Sequence, residues 1–238
     1  MKKIKIPTDL TTLAYDSIKR YILEGRLDQE GRLTEKMLSE QLGISRSPIR
    51  EALNSLATEH LITIEPRRGA SLRRFSVQET SDLYDLRRVL EMYAVQSAEI
   101  TPTFLAKLEK SIERSQSLLE ANRKQEFIEE DMHFHGAIAE AGGNQPLVSV
   151  LENIQNQIWL CRCKTYNLSS STAPKAHRAI MEALKRGDRK EAKKAMGDHI
   201  DYVRQHLIDF VSHEPETSGK TQKGQLRRPG NSRNGADE

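Results

Sequence analysis

The 238-residue chain lacks most of what marks secreted and membrane proteins. It has only two cysteines, Cys161 and Cys163. On a helix, a spacing of two turns them to different faces, so neither a bridge nor a zinc knuckle is expected and both read as packing residues. No run approaches the roughly 20 apolar residues needed to span a bilayer, and residues 1–5 lack the apolar stretch of a secretory signal. These absences exclude a disulfide scaffold and a membrane protein and point to the cytoplasm. No convincing strand pattern occurs after residue 77 either, which excludes a sheet-based second half.

A hydrophobic content of 37% is enough for packed cores, and the length suits two modest domains. The net charge is +3, but it is unevenly placed: residues 1–75 carry 14 Lys/Arg against 10 Asp/Glu, and residues 76–213 carry 18 against 20. A basic head on a near-neutral body suits a nucleic-acid partner, although a +4 excess alone is a common surface property.

Within residues 10–24, Leu13, Ala14, Ile18, Tyr21 and Ile22 recur at helical spacing, and Gly25 is placed to close the segment. Thr34 is positioned to cap a second helix that carries Met37, Leu38 and Leu42 and stops at Gly43. Ser45 or Ser47 caps a third, with Pro48 in its first turn and Ile49, Ala52, Leu53 and Leu56 as its buried stripe. Residues 61–64 and 70–75 then read as two short strands around turn residues 66–69, a hairpin with a basic tip. From 77 to about 213 the periods are helical, with breaks near 101–102, 142–146, 169–174 and 187. The predicted fold is mainly α: a winged helix-turn-helix over 1–75, an all-helical antiparallel bundle over 76–213, and a disordered tail over 214–238.

Two short helices around a glycine turn place the second in the DNA major groove, with its first residues at base edges. Those residues are Ser45, Arg46, Ser47, Pro48 and Arg50. Arginine there makes bidentate contacts to guanine, and serine hydroxyls suit phosphate oxygens. The wing tip Arg67-Arg68-Gly69 suits the minor groove. Taken singly, such residues are more often caps and solvated charges; their ordered combination carries the reading. Here the sequence resembles the GntR family of bacterial regulators, through Leu33-Thr34-Glu35, the run from Leu38 to Leu53, and Arg67-Arg68-Gly69. The resemblance implies DNA contacts from Lys36, Ser45, Arg46, Ser47, Arg50 and the wing, and a homodimer on a short palindromic operator.

The bundle carries polar residues on apolar stripes. Asp131 and His135, spaced i, i+4, share a helix face with Ile128 and Ile138. His177 interrupts the stripe Ile180, Met181, Leu184, and His199 interrupts Ala195, Met196, Val203, Leu207. Burying each without a partner costs roughly 1–3 kcal/mol, so they are expected to share one. Three imidazoles and a carboxylate suit a borderline divalent metal, zinc before nickel or manganese. A single core histidine is more often bonded to a backbone carbonyl; four such residues on separate stripes are harder to explain that way. His133 projects away from this face, and His206 is a weaker rival ligand. Arg87 is a second anomaly, in the stripe Leu83, Leu90, Ala94. A buried guanidinium needs an anion, either internal, from Glu91 or Asp131, or supplied by a ligand.

Residues 76–213 resemble the FadR-type ligand-binding domain, FCD, through Asp131-x-x-x-His135, Asn144, His177, Gly187-Asp188 and His199. The resemblance implies metal ligation by Asp131, His135, His177 and His199, with Arg87 and Asn144 facing a small organic acid effector. Ala176 departs from the pattern, which often has an acidic residue there. The chain is thus expected to be a regulator whose operator affinity answers to a carboxylate at a metal site, and not an enzyme. A metal-sensing regulator and a purely structural metal are the alternatives. A metalloenzyme fits less well, because four protein ligands leave few open positions and no general base is evident.

Overall fold

The computed structural model describes residues 9–27, 31–162 and 170–213; among them are nine α-helices, a short 3-10 turn and one two-stranded hairpin. Helix α1 (Leu10–Leu23) starts at Asp9, whose carboxylate accepts the Thr11 amide at 3.0 Å, and it buries Ala14, Ile18 and Ile22. That i, i+4 stripe leaves Leu13 about 100° off the buried face, and Leu13 is 48% exposed rather than packed. Helix α2 (Glu35–Leu42) is capped by the Thr34 hydroxyl, which accepts the Met37 amide at 3.2 Å, and it ends at Gly43 with φ +67°. Only Leu38 is fully buried from α2; Leu42, expected on the same face, is exposed. Helix α3 (Arg46–Thr58) buries Ile49, Ala52, Leu53 and Leu56, the stripe read from the sequence, and begins after Ser45 without a side-chain cap bond.

The wing is the antiparallel pair β1 (Ile62–Glu65) and β2 (Gly69–Leu72), in register with Glu65 opposite Gly69. Gly69 is required by the packing. Its φ is +87°, and a Cβ there would lie 2.5 Å from the Leu33 carbonyl oxygen, because Leu33 and Ala70 exchange two backbone hydrogen bonds of 2.8 Å. Gly69→Ala is expected to destabilise the head by more than about 1 kcal/mol from φ alone, with overpacking adding about 1–3 kcal/mol. Denaturant unfolding followed in the head tests this; an unchanged midpoint would sink it.

The second unit is a bundle of α4 (Val77–Ser97), α5 (Pro102–Glu120), α6 (Lys124–Glu140), α7 (Gln145–Arg162), α8 (Ala173–Lys185) and α9 (Arg189–His213). Helix α4 packs along α9, α7 and α6; α5 packs against α6 and α8; and α8 packs against α9. Tyr84, Leu108, Phe134, Ile180, Met196 and Ile200 lie in the shared core. One break was not foreseen, between α5 and α6 at residues 121–123, where Asn122 adopts φ +54°. Its local signals are residues 120–126, which carry no apolar side chain larger than alanine, and an asparagine, which tolerates the left-handed region.

Head and bundle meet at two places. Leu23, the last residue of α1, packs with Trp159, Phe127 and Leu118 in a small cluster, and the Gln125 amide donates to the Glu24 carbonyl. At the other junction, Ser76 and Glu79 form a capping box at the start of α4, and Arg73 pairs with Glu79 at 2.7 Å. The wing therefore runs straight into α4 without a loose linker. Cys161 is half-buried, and its thiol donates to the Gln157 carbonyl. Cys163 and residues 214–238, including the expected tail, lie outside the described residues. Among those described, no helix is long and apolar enough to cross a membrane.

Candidate metal and ligand site

Asp131 and His135 come from α6, His177 from α8 and His199 from α9. All four are buried, and one ligand atom from each lies within 4.8 Å of the others. The sequence logic is direct: each residue occupies a core position of its helix, so packing the helices makes the polar groups converge. The His177 Nε2 atom lies 3.3 Å from His199 Nε2 and 3.5 Å from Asp131 Oδ1. Donors about 2.1 Å from a shared divalent ion, at tetrahedral or octahedral angles, are separated by about 3.0–3.4 Å, so this arrangement fits such an ion. His177 is further held by stacking on Phe134, with centroids 4.0 Å apart and planes 5° from parallel.

His135 carries the clearest mark. Its Nδ1 is engaged by Glu91 Oε2, and its Nε2 is buried with no hydrogen-bond partner among the described residues. A carboxylate behind a histidine fixes the tautomer and aims the other nitrogen, the usual arrangement around a ligating imidazole. Burial, followed by repulsion from His177 and His135, pushes the His199 imidazole well below its ordinary pKa, although Asp131 opposes this. A neutral imidazole is the form that binds a metal.

Glu91 also settles the partner of Arg87. Both residues are buried on α4, and Arg87 Nε donates to Glu91 Oε1 at 2.5 Å. Burial alone would raise the Glu91 carboxyl, but Arg87 and His135 outweigh it and hold the group down to about 2. Burial likewise opposes the Arg87 charge, and Glu91, Tyr84 and Asp131 overcome it, raising the pKa above its ordinary value. Of the two internal anions the sequence left open, Glu91 makes the bond and Asp131 adds attraction. The role of Glu91 behind His135 was not foreseen; its i, i+4 spacing from Arg87 was the available signal.

Arg87 and Asp131 also form one wall of a small hollow of about 10 Å³, shared with Gln155 and Trp159 of α7. The expected effector residue Asn144 lines neither this hollow nor the larger cleft beside it. Its side-chain oxygen instead accepts the Leu147 amide at 3.1 Å at the start of α7. Asparagine at such a position satisfies an otherwise orphaned helix amide, so Asn144 caps α7 in this structure. His133 is exposed, as expected. His206 is not part of the cluster: it is half-buried, and its Nδ1 lies 2.9 Å from the Tyr202 carbonyl.

In the head, Lys36, Ser45, Arg46, Ser47, Arg50, Arg67 and Arg68 are all exposed. Arg50 is already engaged, donating to both carboxylate oxygens of Glu35 at 2.7 and 2.8 Å, so it bridges α2 and α3. Lys36 lies 4.0 Å from Glu40 and Arg68 3.7 Å from Glu65, whereas no ion pair engages Arg46 among the described residues. Gly69, grouped with the DNA contacts in the sequence reading, is half-buried against Leu33 and serves the hairpin's packing.

Residues 10–72 match the gntR family of bacterial regulatory proteins, and residues 82–202 match the FCD domain. The chain is 28% identical over 219 residues to the HTH-type transcriptional regulator YdhC of Bacillus subtilis, covering 90% of this chain and 98% of that protein. It is 25% identical to the HTH-type transcriptional repressor RspR of Escherichia coli, covering 84% and 92%, and 25% identical to the gluconate operon transcriptional repressor of Bacillus licheniformis, covering 87% and 88%. Its fold is similar to that of a GntR regulator from Rhodococcus, with a TM-score of 0.77 at 20% identity over 85% of this chain and 99% of that one. It is also similar to that of McbR from Escherichia coli, with a TM-score of 0.76 at 22% identity over 86% and 99%.

Proposed function

Because the chain belongs to the GntR family of bacterial regulatory proteins and carries an FCD domain, we propose that its operator affinity is set by a small carboxylate bound beside a divalent metal in the bundle. The chain is a DNA-binding transcription regulator, as its relatives are, and not an enzyme. The observation that carries the proposal is the buried convergence of Asp131, His135, His177 and His199, with an aimed, unpartnered His135 Nε2. The donor set suits zinc before nickel or manganese. When bound, such an ion supplies a positive centre for a carboxylate oxygen.

The chain's own residues do the rest. Glu91 orients His135 and offsets the charge of Arg87, whose guanidinium lines the hollow within the buried core. One coordinating carboxylate leaves a +2 ion with a formal surplus, so an anion is the favoured guest in this dry interior. The Bacillus licheniformis relative is named for a gluconate operon, and gluconate is itself a carboxylate. The function is tested by titrating operator DNA into metal-loaded protein with and without a panel of organic acids. At least one acid is expected to change operator affinity by about 5–150-fold, the usual range of coupling between sites, and the response should vanish in His199→Ala. A response that survives in that variant, or no response to any acid, would reject the proposal.

On the DNA side, Arg46 is proposed to reach a base edge, with Ser45, Ser47 and Lys36 on phosphates and Arg67 and Arg68 on the wing. Arg50 has to exchange Glu35 for DNA, so its contribution is smaller. Arg46→Ala is expected to weaken specific binding by about 1–3 kcal/mol, and Arg50→Ala by less; affinity within twofold of wild type for Arg46→Ala would count against the contact. Two heads are proposed to bind one palindrome as a homodimer. Its support is an exposed apolar stripe on α4, with Leu86 46%, Val89 64% and Tyr93 53% exposed, beside Tyr202 on α9. Such a contiguous patch is ordinarily covered by a partner. The same titration reads the stoichiometry, and one chain per palindrome would overturn the dimer.

A further inference from the structure

The small hollow beside Arg87 is not isolated. Its walls Met132, Gln155 and Trp159 also line a cleft of about 370 Å³ that opens between α6 and α7 and reaches Leu23 at the end of α1. Gln155 and Trp159 are 5% and 1% exposed, and neither Gln155 Nε2 nor Trp159 Nε1 has a hydrogen-bond partner among the described residues. Two buried donors on the wall between hollow and cleft call for acceptors that the described residues do not supply.

A second observation comes from Gly136, in the middle of α6 and on the cleft wall. Glycine there weakens the helix, yet nothing in the fold demands it: its φ is not left-handed, and a Cβ would meet nothing within 4 Å. The missing side chain serves to keep the cleft open. The lining is mixed, with Met132, Val148 and Leu151 on its apolar side. Its charges are largely acidic: Glu140 pairs with Lys107 at 2.9 Å, while Glu129 and Glu152 form no ion pair among the described residues.

We propose that the effector is an elongated monocarboxylate, with one carboxylate oxygen reaching the inner hollow, which has room for about one such atom, acceptor groups on Gln155 and Trp159, and an apolar or cationic outer half in the cleft against Leu23. The proposal rests on the carboxylate reading above and deepens it. The acidic rim disfavours a second carboxylate at the outer end, and Leu23 makes the occupant a contact shared by head and bundle.

The test is calorimetric titration of zinc-loaded, full-length protein with acetate, hexanoate, 6-aminohexanoate and adipate. Burying four more methylenes is expected to make hexanoate bind on the order of a hundredfold tighter than acetate. 6-Aminohexanoate should bind more tightly than adipate, and adipate at least about tenfold more weakly than hexanoate. In Gly136→Leu, which fills the cleft at a position with space for the side chain, the advantage of hexanoate should disappear while zinc content and acetate binding persist. Equal affinities for acetate and hexanoate, a preference for adipate, or a hexanoate advantage unaltered in Gly136→Leu would each overturn the proposal while leaving the carboxylate reading intact. Failure of all four acids to bind would also overturn the proposal, and the carboxylate reading would then rest on the operator titration with the wider acid panel.

Discussion

Arg87→Ala should be among the most destabilising single changes in the bundle. Removing the guanidinium leaves Glu91 fully buried without the cation whose Nε it accepts. Breaking a buried pair from one side typically costs about 3–5 kcal/mol, whereas replacing both partners with apolar residues is often neutral. The double variant Arg87→Met with Glu91→Leu is therefore expected to regain most of the stability. It should not regain the metal, because His135 loses the carboxylate that aims it, a loss typically of about 10–100-fold in affinity. Urea unfolding and competitive metal titration on the same variants separate the two effects. A single variant within about 1 kcal/mol of wild type would mean that the pair is not buried as described. For the same reason, weaker acid binding by Arg87→Ala would not by itself identify Arg87 as a ligand contact, since the variant also disturbs His135.

The second large effect is expected on removing the metal. His177 and His199 approach to 3.3 Å with nitrogens facing one another, and His199 is held neutral by burial. Metal at a thousandfold excess over its dissociation constant stabilises the folded state by about 4 kcal/mol. A chelator should therefore lower the melting temperature markedly, re-addition of zinc should restore it, and His199→Ala should bring both the metal content and the chelator response down together. Identical melting curves with and without chelator, on protein that purifies free of metal, would reject the site.

Much of this centre was legible before any coordinates because its residues break a pattern. A histidine within Ile180-Met181-Leu184, or an aspartate on the face of Ile128 and Ile138, is visible against apolar periodicity, and the same periodicity says that it points inward. The recognition helix was legible for a similar reason, since Ile49, Ala52, Leu53 and Leu56 form an uninterrupted stripe. The features that were missed lack such contrast. Glu91 was legible only as a candidate anion for Arg87, and it is the approach of α6 to α4 that also makes it a partner of His135. Asn144 carries side-chain groups that serve a helix cap or a ligand equally well, and the cap at the start of α7 appears only once the helix is in place. The turn at Asn122 separates two helices whose buried faces differ in phase, a break that only a comparison of the two stripes across the polar residues 120–126 would have shown. The cleft at Gly136 is an absence of side-chain volume, which no single sequence displays.

Helix α4 joins the two ends of the molecule as one 21-residue rod. Its first turn is fastened to the wing through the Arg73–Glu79 pair and the Ser76 capping box, and Arg87 and Glu91 stand on it at the metal site. The eleven residues from Ser76 to Arg87 span about 17 Å at 1.5 Å per residue. With the pivot at Arg87, a tilt of about 5° displaces the wing end by about 1.5 Å, roughly half a hydrogen-bond length. A lever arm of this kind converts a change too small to disturb the core into one large enough to move an arginine out of register with a base edge.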